Sequence, residues 1–531
     1  MKKRGFVRAL GILVLPLSLR LVACGGESGH RAPQGNDPGG SGGQDAGSDA
    51  GAESDADAGS GAHAGNAAGS TSTPPRELGI VSGSRLKQVW FRGGGAALPR
   101  HTVDTELDAE CSFETAADGT LRCLPTTGTA VVFSDSDCGN ALLLSYPNAE
   151  CEAVAPRFGK LRGPGEDCAG DRTRVFEAEG AADAPEALYE MLDGECVSRS
   201  LNDGAEYTSA AEADPDAFVS GERVVDDRSE QVGVQWIHSA DDGWFPEGMV
   251  NLARGEACQA LEQTEGDAPG YYCVSNPAFA YEEGNYGYTD SSCESLAANV
   301  NDSCVATEAV LSTARDDDGC FTHSVHEPGE ELTTIYESTE DGCTEATVNL
   351  GPNTQRIAMG PPAKKLVELT PENGPTSGRL AIQVYASGAA LVSVRANVLW
   401  DTEHEAPCSP MPLEDGVTVC VPGPFVTIGA SSSDNTYRDS ECTQRIVPGY
   451  DLKCTGEAEF RFITYQSDDF CAPATRTDIY EAGASFTTDT VYVGSGADCF
   501  ASATNPNTIW VERGAEVILE EAFVVLSEER D

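Results

Sequence analysis

Basic residues are scarce in this chain. Lys and Arg together number 34 against 86 Asp and Glu, so the net charge is −52 at neutral pH. Such a surface repels nucleic acid and anionic lipid headgroups, which excludes both as direct partners of the polypeptide. The same charge favours solubility and leaves divalent cations as candidate ligands.

The best-known catalytic motifs are missing as well. After residue 77 the chain has no Gly-x-Ser-x-Gly nucleophile elbow, no His-Glu-x-x-His zinc motif and no phosphate-binding glycine loop. It also has no Cys-x-x-Cys pair, the usual half of a structural zinc site. The sequence therefore predicts no cofactor, no metal site and no identifiable catalytic residue, which favours a non-enzymatic protein.

Cysteine, by contrast, is abundant. Of 19 cysteines, Cys24 stands alone and the other eighteen form three sets of six, with equivalent members about 150 residues apart. An even number at a repeated spacing predicts disulfides, and hence folding in an oxidising compartment. The sets are Cys111, Cys123, Cys138, Cys151, Cys168 and Cys196; Cys258, Cys273, Cys293, Cys304, Cys320 and Cys343; and Cys408, Cys420, Cys442, Cys454, Cys471 and Cys499.

The spacing within each set predicts which cysteines pair. The first two are 12, 15 and 12 residues apart, the next two 13, 11 and 12, and the last two 28, 23 and 28. Each interval can bracket one hairpin, so we expect neighbours to bond, although six cysteines allow fifteen connectivities. The expected bonds are Cys111–Cys123, Cys138–Cys151, Cys168–Cys196, Cys258–Cys273, Cys293–Cys304, Cys320–Cys343, Cys408–Cys420, Cys442–Cys454 and Cys471–Cys499.

Other residues recur with the cysteines and define three repeat units, at 78–219, 220–376 and 377–531. The third cysteine ends an aromatic-x-Asp-Ser-x-Cys motif, which begins at Phe133, Tyr288 and Tyr437. A tyrosine lies seven residues before the sixth cysteine, at Tyr189, Tyr336 and Tyr492. The units open on Ser-Gly at Ser82, Ser220 and Ser377.

The local pattern predicts an all-β fold. Short alternating runs such as Leu86–Phe91 and Thr490–Val493 are bounded by turn residues, and no long amphipathic helix is evident. We count about eight strands per unit. Because eight strands make two four-stranded sheets, three units would close as a six-bladed β-propeller. The alternative is three tandem β-sandwich or barrel domains. The short junctions between units favour one closed body.

The N-terminal sequence predicts where in the cell the protein is located. Residues 1–23 have the charges and short apolar run of a signal peptide, and Leu21-Val22-Ala23-Cys24 matches a lipobox, whose cysteine becomes lipidated. Residues 24–77 are mostly Gly, Ala, Ser and Asp, which is typical of a disordered tether. Gly25 follows the cysteine where Asp would retain a lipoprotein at the inner membrane. We expect the protein to lie at the outer membrane and to be attached to it only through the lipid.

A few residues could bind metal, and each has a simpler interpretation. His323 and His326 could be paired ligands, but His326 fills a slot that is aromatic in the other units, at Phe176 and Tyr480, which favours a packing role. The repeated Asp135, Asp290 and Asp439 could open a calcium loop, but a turn aspartate that binds its own backbone fits better. Asp316, Asp317 and Asp318 form an acidic turn in one unit only.

The lipobox, the tether, the Ser-Gly-x-Arg-Leu opening, the motifs from Cys111 to Pro125 and the aromatic-x-Asp-Ser-x-Cys motif together resemble the uncharacterised cysteine-rich repeat lipoproteins of myxobacteria. The resemblance implies a cell-envelope location and transfers no activity. We expect a lipid-anchored, non-catalytic binding or scaffold protein with a glycan or protein ligand. The alternative is a secreted propeller enzyme acting on polysaccharide or peptidoglycan, with acids and aromatics gathered in an axial pocket.

Overall fold

The structure, a computed structural model, describes most of the chain from residue 79 onward. The described ranges are 79–145, 156–163, 171–192, 194–201, 204–227, 229–264, 270–281, 287–300, 306–315, 321–339, 342–346, 355–364, 366–374, 376–388, 390–413, 417–423, 425–429, 436–449, 460–466, 477–494, 499–504 and 508–531. Within them the protein is all-β, as predicted.

The strands of the first unit are β1 Leu86–Gly93, β2 Ala96–Asp104, β3 Ala109–Thr115, β4 Leu121–Pro125, β5 Thr129–Phe133, β6 Ala141–Ser145, β7 Phe158–Gly163, β8 Arg172–Ala182, β9 Leu188–Leu192, β10 Glu195–Arg199, β11 Glu206–Glu212 and β12 Gly221–Asp226. A 3₁₀ turn, Pro215–Ala217, precedes β12.

The second unit contains β13 Val232–Ser239, β14 Trp244–Asn251, β15 Glu256–Gln263, β16 Gly270–Ser275, β17 Ala278–Tyr281, β18 Ala297–Val300, β19 Val310–Arg315, β20 Phe321–Glu331, β21 Ile335–Thr339, β22 Gly342–Ala346, β23 Gln355–Pro362 and β24 Val367–Asn373.

The third unit contains β25 Leu380–Ser387, β26 Ala390–Asp401, β27 Ala406–Pro412, β28 Thr418–Pro422, β29 Phe425–Gly429, β30 Thr436–Tyr437, β31 Ile446–Gly449, β32 Phe462–Gln466, β33 Thr477–Thr487, β34 Thr490–Val493, β35 Phe500–Ala503, β36 Ile509–Glu516, α1 Leu519–Ala522 and β37 Val524–Arg530.

All three units contribute to one 15-stranded sheet. Its order is β12-β13-β14-β15-β16-β24-β25-β26-β27-β28-β37-β1-β2-β3-β4. The two ends of this order meet at an antiparallel bridge between Arg122 and Ser220, beside a hydrogen bond from Cys123 N to Val219 O. The strand order therefore returns to its beginning, and the sheet forms a ring of three four-stranded meanders.

One strand joins each meander to the next. β12 and β24 run between consecutive units, and β37, the last strand, takes the same place between β28 and β1. Because β12 is equivalent to β37, it ends the first unit. The Ser220-Gly221 segment thus lies at a joint, and the structure moves the opening of the second unit to Val232, which pairs with Asn251 as Leu86 pairs with Asp104.

Each junction between units has its own apolar core. The three clusters are centred on Trp236, Met249 and Val392; on Leu98, Leu380 and Leu399; and on Leu86, Cys123 and Phe245. Every cluster mixes side chains of two units, so no meander is packed alone. Burying one such side chain contributes about 1.5–3 kcal/mol, and the units are therefore stabilised by one another.

Each unit also carries a smaller β body outside the ring. In the second unit it is a closed barrel of order β17-β18-β23-β20-β19, with β17 and β19 parallel. In the first unit the equivalent strands follow the same order, β5-β6-β11-β8-β7, within a seven-stranded sheet. The third unit has a five-stranded sheet with parallel β29 and β32. We call these three smaller bodies satellites. They fit the tandem-barrel alternative, and the ring joins them.

The described residues do not form a six-bladed propeller, because four strands of each unit enter a shared sheet instead of forming separate blades. The expected eight strands per unit were too few. The described part of each unit already contains twelve or thirteen strands, several of only two to five residues, which single-sequence patterns do not reveal. No helix in the described part of the chain is long and apolar enough to cross a membrane.

Candidate functional site

The strongest sequence signal, the aromatic-x-Asp-Ser-x-Cys motif, builds an exposed loop three times. In the first unit Asp135 accepts hydrogen bonds from the backbone N–H groups of Asp137, Gly139 and Asn140, at 3.1, 3.0 and 2.6 Å. Asp290 and Asp439 each accept three equivalent bonds. The aspartate thus folds its own turn, as the simpler interpretation predicted.

These backbone bonds favour the ionised carboxylate. Hydrogen bonds from the loop, led by the Gly139 N–H, hold the pKa of Asp135 below its usual range. The pKa of Asp290 is lowered chiefly by the Ser292 hydroxyl. Desolvation acts to raise the pKa of Asp439, but the bonds from Thr443 and Gln444 outweigh it, so the pKa is lowered. Each carboxylate is therefore occupied by protein donors.

The cysteine that ends each loop has left-handed backbone geometry. The φ angles of Cys138, Cys293 and Cys442 are 51°, 55° and 52°. All three are bonded to the sixth cysteine of their unit: Cys138–Cys196, Cys293–Cys343 and Cys442–Cys499, with Cα–Cα distances of 5.8, 5.7 and 5.9 Å. The bond fixes the loop to a distant hairpin, and the rare φ angle is held by that covalent link.

The expected pairing of the third to sixth cysteines is therefore wrong. The expected Cys138–Cys151, Cys168–Cys196, Cys293–Cys304, Cys320–Cys343, Cys442–Cys454 and Cys471–Cys499 bonds are replaced by the third-to-sixth bonds. The first-to-second bonds Cys111–Cys123, Cys258–Cys273 and Cys408–Cys420 are confirmed. The fourth and fifth cysteines, Cys151, Cys168, Cys304, Cys320, Cys454 and Cys471, lie outside the described residues.

The physical reason is visible in the strand pairing. The interval between the fifth and sixth cysteines contains the eleven-residue β8 and a separate hairpin, β9–β10, so it cannot be one hairpin. That hairpin returns to the start of the aspartate loop, because Phe133 pairs with Tyr189. In the second unit Tyr288 likewise bridges Tyr336. The same happens in the third, where Tyr437 pairs with Tyr492.

The candidate histidine pair does not converge on one point. His323 Nδ1 lies 3.1 Å from the Thr313 hydroxyl. His326 instead lies 3.2 Å from the Gly360 carbonyl through Nδ1 and 2.9 Å from Ser324 through Nε2. Among the described residues, no group of three or more His, Cys, Asp or Glu side chains is placed to hold a metal ion.

The ring carries a second repeated polar arrangement. Arg85 makes two hydrogen bonds to Asp104, at 2.7 and 2.6 Å, and Arg379 binds Asp401 in the same way. Both aspartates are fully buried and also accept backbone N–H groups of the following turn. Each arginine also donates a hydrogen bond to a carbonyl in the segment before a joint strand. Arg85 donates to Ala217 O, before β12, and Arg379 donates to Ala522 O, before β37. These pairs therefore fasten the ring.

The second unit departs from this pattern. Asn251 occupies the place of Asp104, and its amide lies 3.3 Å from Glu308. The other carboxylate oxygen of Glu308 accepts the Ser275 N–H at 2.6 Å. The replacement is a satisfied structural contact, and it leaves no charge aimed at an open site.

A half-buried charged pair holds the first satellite to the ring. Glu114 on β3 binds Lys160 on β7 at 2.6 Å, with Ser112, Thr173 and Arg162 around it. Burial acts to raise the pKa of Glu114, but the hydrogen bond from Lys160 outweighs it and the pKa is lowered. Burial also lowers the pKa of Lys160. Because both groups are paired, neither resembles a free acid or base.

The crevice beside this pair is small. It is lined by residues that include Ala116, Leu124, Thr173, Pro215 and Phe218, and its volume is about 10 Å³. That is room for roughly one water molecule and too little for a sugar or peptide. Glu114 and Lys160 thus make structural contacts beside a crevice that has no room for such a ligand.

Comparison with known proteins decides the family. A sequence profile of DUF7481, a family of unknown function, matches residues 65–511, more than four fifths of the chain. The chain belongs to the DUF7481 family. No curated protein and no solved structure matches the sequence. The match covers the first two repeats and most of the third, and it ends before β37.

Sequence reasoning missed two features of this DUF7481 fold. The Arg85–Asp104 and Arg379–Asp401 pairs could have been found, because Arg-Leu and Asp-Thr-Glu recur at the same positions in the first and third units. The joint strands had no comparable signal. Cys24 and the acidic turn at Asp316, Asp317 and Asp318 lie outside the described residues.

Proposed function

We propose that the chain is a lipid-anchored protein of the outer membrane, with a non-catalytic binding or scaffold role at the cell envelope. The observation that carries the proposal is that the described residues include six disulfides at repeated positions. Such a framework indicates a location outside the reducing cytosol. The lipobox at Cys24 supplies the means of attachment.

A scaffold role is supported by the way charge is used. The repeated aspartates are bound by their own loops, and the buried Asp104 and Asp401 are bound by arginines. The centre of the ring junctions is apolar. An enzyme acting on polysaccharide would need free carboxylates beside a sugar-sized pocket. These five aspartates are engaged in structural contacts, which favours the scaffold role over the secreted-enzyme alternative.

Metabolic labelling with a radioactive or clickable fatty acid tests the anchor. The unmodified protein should incorporate label and fractionate with outer membranes, and Cys24→Ala should lose both. Gly25→Asp is the matched variant. It should keep the label and be retained at the inner membrane. Label that persists in Cys24→Ala, or a protein recovered entirely without lipid, would overturn the anchoring proposal.

A binding screen of glycans, with and without Ca²⁺, tests the role of the body. We expect binding without chemical change to the ligand. Turnover of any polysaccharide or peptidoglycan fragment by purified protein would overturn the non-catalytic assignment. The two experiments are independent, because the labelling result does not depend on which ligand is bound.

A further inference from the structure

The ring has three joints, and one of them differs in kind. At two joints the chain is continuous, because β12 leads into β13 and β24 leads into β25. At the third, β37 pairs with β1 through the register Val89–Arg530 to Arg92–Ser527, although the two strands are at opposite ends of the body. No peptide segment connects them, so this joint depends on noncovalent contacts alone.

Charged side chains are concentrated at this joint. Arg92 lies 3.2 Å from Glu529 and 3.0 Å from Asp531, and Arg100 forms an ion pair with Glu528. The indole of Trp90 donates to Asp531 at 2.5 Å. The Asp531 N–H also donates to Gln88 O at 3.2 Å.

The equivalent joint between the first two units shows what is special. Register places Glu247 where Arg100 stands and Arg223 where Glu528 stands, and these two residues form an ion pair of reversed polarity. The residues equivalent to Arg92 and Glu529 are His238 and Val224.

That pair carries no ionic contact. His238 instead stacks on Trp244, with ring centroids 4.4 Å apart. The Arg92–Glu529 ion pair at the β37–β1 joint thus has no counterpart at the β12–β13 joint.

We propose that β37 is a strap that closes the ring, held by an ionic latch of Arg92 and Arg100 with Glu528, Glu529 and Asp531. The paired side chains keep 37–55 % of their surface exposed to solvent. Exposed ion pairs are screened by salt, whereas the backbone pairing and apolar cores are not weakened in this way. This joint therefore opens before the other two, and ionic strength controls its opening.

Hydrogen exchange of the full, oxidised chain tests the latch at low and high NaCl concentration. We expect amides of β37 and the outer half of β1 to exchange roughly fivefold faster at high salt, in line with the loss of two or three exposed pairs. The amides of β12 and β13 serve as an internal control and should change little. Equal salt response at both joints would contradict the proposal.

Variants separate the latch from general instability. The double change Arg92→Gln and Arg100→Gln should speed exchange of β37 at low salt and remove its salt dependence. Arg223→Gln is the matched control at the continuous joint and should leave β37 unchanged. A double variant that swaps the two charges (R100E with E528R) has the polarity of the Arg223–Glu247 pair. In this double variant the β37 amides should be protected from exchange as in the unmodified protein, whereas R100E alone should lose that protection. Loss of protection in the double variant would overturn the latch.

Discussion

At the residue scale, the Arg–Asp pairs of the first and third units each bury a carboxylate completely. Asp401 is fully buried, and Arg379 keeps 22 % of its side-chain surface exposed. Asp401 also accepts the N–H groups of Glu403 and His404. One carboxylate therefore satisfies a guanidinium and a turn together, and its loss leaves several donors without an acceptor.

Replacing this carboxylate should destabilise the protein strongly. We expect Asp401→Asn to lower the free energy of unfolding by about 3 kcal/mol, the low end for breaking a buried pair, because Arg379 retains some solvent. Chemical denaturation measures the effect. Glu403→Gln is the control, since Glu403 contacts the same arginine from an exposed position and should cost less than about 0.5 kcal/mol. Similar losses in both variants would contradict the assignment.

The aspartate loops predict a pH dependence. The pKa of Asp135 is lowered in the folded protein, so its stabilising effect is complete above the unfolded pKa of about 3.9 and is lost as pH falls through the folded value. Asp135→Asn should therefore lower the melting temperature slightly at pH 7 and have no effect at strongly acidic pH. Asp137→Asn, in the same loop, is the control and should be neutral at both. A constant difference across pH would argue against the charged loop.

Some of these residue roles could be predicted and some could not. A motif that recurs three times identified Asp135, Asp290 and Asp439, and turn chemistry explained them without a metal. The cysteine partners could not be derived from spacing, because Cys196 reaches Cys138 only after β8 has crossed the satellite. The pairing of Phe133 with Tyr189 carries that information, and it becomes visible only when both recurrent aromatics are placed on paired strands.

At the element scale, close approaches between hairpin turns and the neighbouring unit set the spacing of the ring. Gly95, in the β1–β2 turn, has φ +89°, and a Cβ built there would lie 2.4 Å from Gly378 N. The corresponding turn of the second unit places Asp241 against Gly83, where it accepts the N–H groups of Arg85 and Leu86 at 2.7 Å.

An alanine at Gly95 should open the junction between the first and third units. The positive φ costs about 1 kcal/mol for any side chain, and the backbone clash adds roughly 1–3 kcal/mol. Gly194→Ala separates these effects, because Gly194 has φ +82° and nothing within 4 Å of its added Cβ. Thermal or chemical unfolding of both variants measures the difference. An equal loss of stability in both variants would show that the Gly95 turn does not contact Gly378.

The disulfide pattern is a second test at this scale. Peptide mapping without reduction should recover Cys138–Cys196, Cys293–Cys343 and Cys442–Cys499 as linked peptides, beside the three first-to-second bonds. The prediction follows from hairpins that return to the aspartate loops. Recovery of Cys138–Cys151 or Cys168–Cys196 instead would mean that the satellites are folded differently.

Strand existence was easier to predict than strand partnership. The alternating runs and turn residues indicated all-β units, because side-chain period and turn chemistry are local properties. The joints depend on contacts between residues far apart in sequence, such as Arg122 with Ser220 in one unit and Val89 with Arg530 across the body. A local pattern contains no record of such partners.

At the scale of the whole molecule, repetition and closure explain each other. A single meander exposes an apolar face that only a neighbouring unit covers, as shown by the mixed clusters around Trp236, Leu98 and Leu86. With three copies and β37 paired with β1, each of the three junctions has such a mixed cluster. The short junctions suggested one body, and the ring shows how the copies are joined without becoming propeller blades.

A crystal structure of the oxidised body tests the central claim most directly. The account predicts one sheet in which β37 lies between β28 and β1, with three superimposable meanders and a satellite on each. Three separated β domains, or a β37 paired with a different strand, would contradict it.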